Sequence, residues 1–183
     1  MPIWTTYLGY FRRLSSEYDI AVSEIGRRLK EVNGSFHGVI IYFVMRGRGN
    51  DAVAPSKELL FRSKQLAKEA KTDQEETAVW EQYKKEYLEQ LEESTDAYSW
   101  MYERASEGKE FHVIFVCFER NSLRCHRRLL ADYMVNNWQS DYRGELSNQI
   151  ETMEAQEALA ELDIAKGEEE EREASGEEPK PED

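Results

Sequence analysis

The chain is poor in cysteine and proline and contains no long apolar run. Two cysteines in 183 residues exclude a small scaffold stapled by disulfides, and a domain of this length can bury its own core without them. No stretch approaches the ~18 consecutive apolar residues of a membrane span, and no charged-then-apolar leader opens the N-terminus. These absences predict a cytoplasmic protein with no membrane partner. Its cysteines should then be reduced and used for chemistry, for a metal or for packing.

Positive charge is also scarce. The formal net charge is −13, but residues 150–183 hold 14 acidic and 3 basic residues, while the remainder holds 23 acidic and 21 basic. A nearly neutral body excludes the all-over acidic coat of a halophile-like surface. The lack of a basic stripe excludes duplex DNA as an expected partner. Residues 167–183 carry no apolar side chain beyond Ala174 and the prolines, so they are expected to be a disordered acidic tail. Such a tail either solubilises the chain or docks on a protein partner.

What is present is an alternation of strand-like and helical patterns. Ile3–Tyr7, Ile20–Ser23, Gly38–Met45 and Phe111–Phe118 read as strands; the last two are continuous apolar runs suited to strands buried on both faces. Helical spacing covers Leu8–Ser16 and Ser56–Ala70. Thr72 with Glu75 forms a capping box ahead of a helix bearing Trp80, Tyr83 and Tyr87. A further helix runs to Gly108, and Asn121 or Ser122 caps another with Leu129, Leu130, Tyr133, Met134 and Trp138 on its apolar stripe. The pattern predicts an α/β fold with a mostly parallel sheet covered by helices. It fits a single domain over residues 1–139, a C-terminal amphipathic helix within 140–166, and the tail over 167–183.

The candidate site lies where the Phe111–Phe118 strand meets the following helix, at the end of an α/β sheet where ligands bind. Cys117 and Glu119, two apart at a strand end, point to the same side. Cys125 and His126 fall near the first helical turn, where the positive end of the helix dipole favours a thiolate. Three chemistries use these types. One cysteine can be a nucleophile with His126 or Glu119 as proton partner. Cys117, Cys125 and His126, with Glu119, can hold a metal. Alternatively Arg127, Arg124, Arg46 and Arg48 bind a small anion while the cysteines shape the pocket. The spacing matches no usual zinc ribbon or finger, so no metal is assigned and the cofactor stays open. Against all three stands plain packing, since cysteine is among the most buried residue types and His126 shares a helical face with Leu129, Leu130 and Tyr133.

Two motif readings are discarded. The five-residue spacing from Cys to Arg that a tyrosine-phosphatase loop needs would put arginine at position 123, which is Leu123. Gly47-Arg48-Gly49-Asn50-Asp51-Ala52 follows a strand like a dinucleotide-binding turn, yet Pro55 stops a helix from running on directly. It is read as an ordinary loop.

The run Cys117-Phe-Glu119-Arg-Asn-Ser-Leu-Arg-Cys125-His126-Arg127-Arg-Leu-Leu-Ala-Asp132 resembles the signature of the domain-of-unknown-function family 488, with its Cys-x-Glu, short loop and Cys-His-Arg. Thr5-Thr6-Tyr7, Ala21-Val22-Ser23 and Ala54-Pro55-Ser56 resemble the shorter, archaeal-type branch, and Tyr83 and Tyr87 match its tyrosine-rich middle helix. The Gly-His-Ser and Asp-Val-Arg segments of the bacterial branch are missing. The resemblance implies an α/β fold and a shared Cys/Glu/Cys/His/Arg site, without an agreed activity. The leading expectation is an enzyme acting on a small anionic, nucleotide-like ligand through Cys117, Glu119, Cys125 and His126. The alternative is a non-catalytic module binding nucleic acid or protein.

Overall fold

The computed structural model describes residues 1–33 and 38–148, with the side chains of residues 30–33 left aside. The element order is β1 (Pro2–Tyr7), α1 (Leu8–Leu14), α2 (Tyr18–Asn33), β2 (Val39–Phe43), α3 (Lys57–Glu69), α4 (Asp73–Glu93), α5 (Thr95–Glu107), β3 (His112–Cys117), α6 (His126–Trp138) and β4 (Asp141–Glu145). A short 3-10 turn, Ser122–Arg124, leads into α6. The four strands form one parallel sheet in the order β2-β3-β1-β4. The fold is α/β, as the alternating pattern predicts.

The central strand explains the layering. Every residue of β3 is buried, which requires cover on both faces of the sheet. In β2 the neighbours Tyr42 and Phe43 point to opposite faces. Phe43 packs on Phe11 of α1 and Tyr18 of α2, whereas Tyr42 packs on Trp100 of α5. So α1 and α2 cover one face and α5 the other. Helix α6 lies on the α5 side, because it packs directly against α5, and α4 packs on both helices. The connection from β1 to β2 runs through α1 and α2 on one face and that from β3 to β4 through α6 on the other, so the chain leaves these two adjacent central strands toward opposite faces. Their C-terminal ends frame the crevice that such a reversal opens.

Two segments differ from the sequence reading. Ile20–Ser23 is helical, within α2. Its β-branched residues suit a strand, but Ala21, Ile25 and Leu29 are spaced four apart and fully or almost fully buried, so helical burial overrides local propensity. The sheet also continues past Gln139: Asp141-Tyr-Arg-Gly-Glu145 pairs with β1 as an edge strand. It has one strand partner and alternates exposed with covered residues, so it lacks the apolar run that marked β2 and β3.

Local signals hold elsewhere. Thr72 Oγ1 accepts from the Glu75 amide at 3.2 Å and Glu75 Oε2 accepts from the Thr72 amide at 3.1 Å, the capping box at the start of α4. Ser56 caps α3 with a single bond, its Oγ accepting from the Leu59 amide at 3.1 Å. Met1–Ser147 form one compact unit. The chain is helical again at 146–148; the remainder of the expected C-terminal helix and the acidic tail lie outside the described residues. Among the described residues no helix is long and apolar enough to cross a membrane.

Candidate functional site: a buried thiol cluster beneath a cleft

β3 ends at Cys117, level with Tyr7 of β1. The chain then turns through Glu119, and Asn121 Oδ1 accepts from the Leu123 amide at 2.9 Å to set the 3-10 turn. Cys125 is the extended N-cap residue of α6, with no side-chain capping bond, and His126 is the first helical residue. The short loop folds back, so the eight-residue spacing brings both sulfurs to one place.

Cys117 Sγ donates to Glu119 Oε2 at 2.8 Å, and Cys125 Sγ is 3.5 Å from the same oxygen. The side-chain ligand atoms of Cys117, Glu119, Cys125 and His126 all lie within 4.8 Å of one another. Cys117 and Cys125 are 1% and 2% exposed. His126 Nε2 lies 2.8 Å from the Val44 carbonyl oxygen. A carbonyl only accepts, so Nε2 carries a proton, and Nδ1 is the nitrogen left to gain or lose one. Tyr87, whose hydroxyl donates to the Val53 carbonyl at 2.6 Å, meets the His126 ring edge-on at 5.7 Å. The imidazole is thus held from two sides.

These four donors are the ones that could face a single metal ion. Cys117 Sγ, however, is 3.8 Å from Nδ1 and 3.7 Å from Nε2. In a tetrahedral site a co-ligand sulfur stands clearly nearer the ligating nitrogen than the other, so a metal would require the His126 ring and Cys117 to shift relative to each other.

The two thiols diverge electrostatically. Hydrogen bonding to Cys125, burial and the nearby carboxylate all hold the Cys117 thiol in its protonated form, well above the ordinary range. Burial pushes Cys125 up as well, but hydrogen bonds from Cys117 and His126 outweigh it and bring Cys125 down to about 5. His126 shows the reciprocal effect: burial lowers it, but the bond and charge of the Cys125 sulfur, the Val44 carbonyl and the Glu119 carboxylate together raise it above its ordinary range. Glu119 also goes down, because the bonds from Cys117 and His126's charge prevail over its burial. The cluster favours a Cys125 thiolate beside an imidazolium.

The arginines do not converge on this cluster as a group. Arg127 is fully buried. Its Nη1 donates to the Glu119 carbonyl, and its Nη2 to the Arg120 carbonyl at 3.1 Å and to Glu145 Oε1 at 3.2 Å. Arg127 therefore sets the backbone that carries Glu119. Arg124 sits on the rim, paired with Glu76 at 2.8 Å. Arg46 ties its own loop through the carbonyls of Pro55 and Ala54 at 2.5 and 3.0 Å. Arg48 lines a different cleft, beside Phe11, Phe43 and Met45.

Above Cys125 opens a cleft of about 220 Å³ between α3, α4 and α6. Glu119, Cys125 and His126 form its floor, while Cys117 lies beneath. Trp80 and Tyr83 stack at 5.3 Å along one wall, and Lys64 stands on the rim. Tyr83 is buried, while Trp80 remains half-buried and lines the cleft. Lys64 carried no sequence signal, being one lysine on a charged helix.

Residues 51–138 match the family model described as the active DUF488-N3 subclade. Over this stretch the chain resembles the domain-of-unknown-function family 488. The DUF488 match spans α3, α4 and α6, hence both cleft walls and all four clustered side chains. It leaves out β1, β2 and β4. No curated protein and no solved structure matches the chain.

Proposed function

We propose that this protein is a thiol-dependent enzyme acting on a small anionic, nucleotide-like molecule bound in the cleft between α3, α4 and α6. The observation that carries this reading is that Cys125 and His126, neighbours at the start of α6, form the floor of an aromatic-walled cleft. Cys125 is the nucleophile. His126, with its Nε2 proton held by the Val44 carbonyl, exchanges the reacting proton through Nδ1. Glu119 fixes the thiol pair, and Arg127 positions Glu119. The stacked Trp80 and Tyr83 offer a planar surface for a ring, and Lys64, beside the Arg124–Glu76 pair, supplies positive charge for an anionic group at the rim.

The test is a fluorescence titration of a panel of nucleoside monophosphates against the native protein and its Trp80→Ala and Cys125→Ser variants. Saturable binding is expected that weakens about tenfold or more in Trp80→Ala, the scale of one lost ring stack. Cys125→Ser should retain binding and abolish turnover. Absence of binding across the panel, or binding indifferent to Trp80, contradicts the ligand class.

A further inference from the structure

We infer that Cys117 and Cys125 form a dithiol–disulfide couple, giving the site a second activity: the reduction of hydroperoxides. This rests on the reading of Cys125 as the reactive thiol. The chain has two cysteines in all, and the fold delivers both to one carboxylate oxygen, at 2.8 and 3.5 Å from Glu119 Oε2. Their sulfurs lie within 4.8 Å of each other. They come from opposite sides of the β3–α6 turn, so each is anchored by a different element.

Their roles differ by position. Cys125 meets the cleft and Cys117 lies below it, so a peroxide small enough for that space reaches Cys125 first. Attack by the Cys125 thiolate forms an S–O bond and breaks the O–O bond. Sulfur is oxidised to the sulfenic acid, and the departing oxygen takes a proton from His126 and leaves as water from hydrogen peroxide or as the alcohol from an organic hydroperoxide. Cys117 then attacks the Cys125 sulfur. An S–S bond forms, the S–O bond breaks, and the second oxygen leaves as water with the Cys117 proton, relayed through Glu119. An external dithiol restores both thiols and becomes its own disulfide. A resolving role needs a second thiol that is shielded from the peroxide yet adjacent to the attacked sulfur, and Cys117, enclosed and within 4.8 Å of Cys125, has that place.

The experiment treats the full-length protein with hydrogen peroxide and follows intact mass, free thiols and trapping by dimedone. The wild type should lose both thiols and two hydrogens of mass without dimerising, and a dithiol reductant should reverse the change. Cys117→Ser should stop at a dimedone-reactive sulfenic acid on Cys125. If the wild type accumulates that sulfenic acid and no internal disulfide, the couple is overturned while Cys125 remains the reactive thiol. If Cys125 resists peroxide but is alkylated readily by iodoacetamide, the peroxide activity falls and the thiol enzyme stands. If Cys125 resists both reagents in the native protein, both readings fall together.

Discussion

Arg127 Nη2 lies 3.2 Å from Glu145 Oε1 with both side chains closed to solvent, joining the start of α6 to the edge strand β4. The same guanidinium holds the carbonyls of Glu119 and Arg120, and Thr5 Oγ1 donates to the other carboxylate oxygen of Glu145 at 2.7 Å. One charged side chain thus connects the loop after β3, helix α6 and two strands. Burial keeps the Glu145 carboxyl above its ordinary range despite the pull of Arg127, so the pair contributes geometry more than free energy.

Removing one half of such a pair leaves the other buried and uncompensated. Arg127→Ala is expected to lower stability by about 3–5 kcal/mol, read as a fall in the urea midpoint. Arg127→Lys should recover only part of this, because an ammonium cannot span two carbonyls and a carboxylate in one plane. An unchanged midpoint in Arg127→Ala would falsify the structural role assigned to this residue.

Tyr87→Phe keeps the ring that meets His126 but deprives the buried Val53 carbonyl of its donor. The expected cost is about 1–3 kcal/mol, measured by denaturant unfolding. Cys125 alkylation should be nearly unaffected, since the imidazole retains its bond to the Val44 carbonyl.

The loop after β2 allows a third check. A Cβ on Gly49 would strike the Phe43 carbonyl oxygen, the same oxygen that accepts from the Asn50 amide at 2.8 Å. Gly49→Ala should cost roughly 1–3 kcal/mol as the backbone shifts to relieve the overlap. The shift also disturbs the adjoining Val44 carbonyl that orients His126, so slower Cys125 alkylation should accompany the stability loss. A stability like that of the wild type would show the close approach to be dispensable.

The apolar runs of β2 and β3 and the capping box of α4 were legible because each is a local signal: burial on both faces, or a side chain meeting a nearby amide. Ile20–Ser23 was misread because four residues cannot separate a β-branched strand from a helix whose register appears only with Ile25 and Leu29. The strand at Asp141–Glu145 was hidden by its polarity. Its place depends on β1, more than a hundred residues away. At the site, the convergence of Cys117, Glu119, Cys125 and His126 followed from a short loop at a strand–helix junction. The fate of the arginines did not follow, because each one's partners sit on elements whose positions no spacing gives: Glu145 for Arg127 and Glu76 for Arg124. The family resemblance pointed to the same cluster without specifying which side chain faces the cleft.

The central claim is that Cys125 is a thiolate poised by His126 while Cys117 below it stays protonated. The most direct measurement is iodoacetamide alkylation of the native protein as a function of pH, with each cysteine followed separately by mass spectrometry. Because Cys125 is held down to about 5, its thiolate fraction should grow as pH rises through that value and be complete by about pH 7, where a free thiol near 8.5 is barely ionised. Cys117 should remain unmodified until the protein is unfolded, and His126→Ala should move the Cys125 profile upward. A Cys125 profile rising only near the ordinary thiol range, or Cys117 reacting first, would contradict the account.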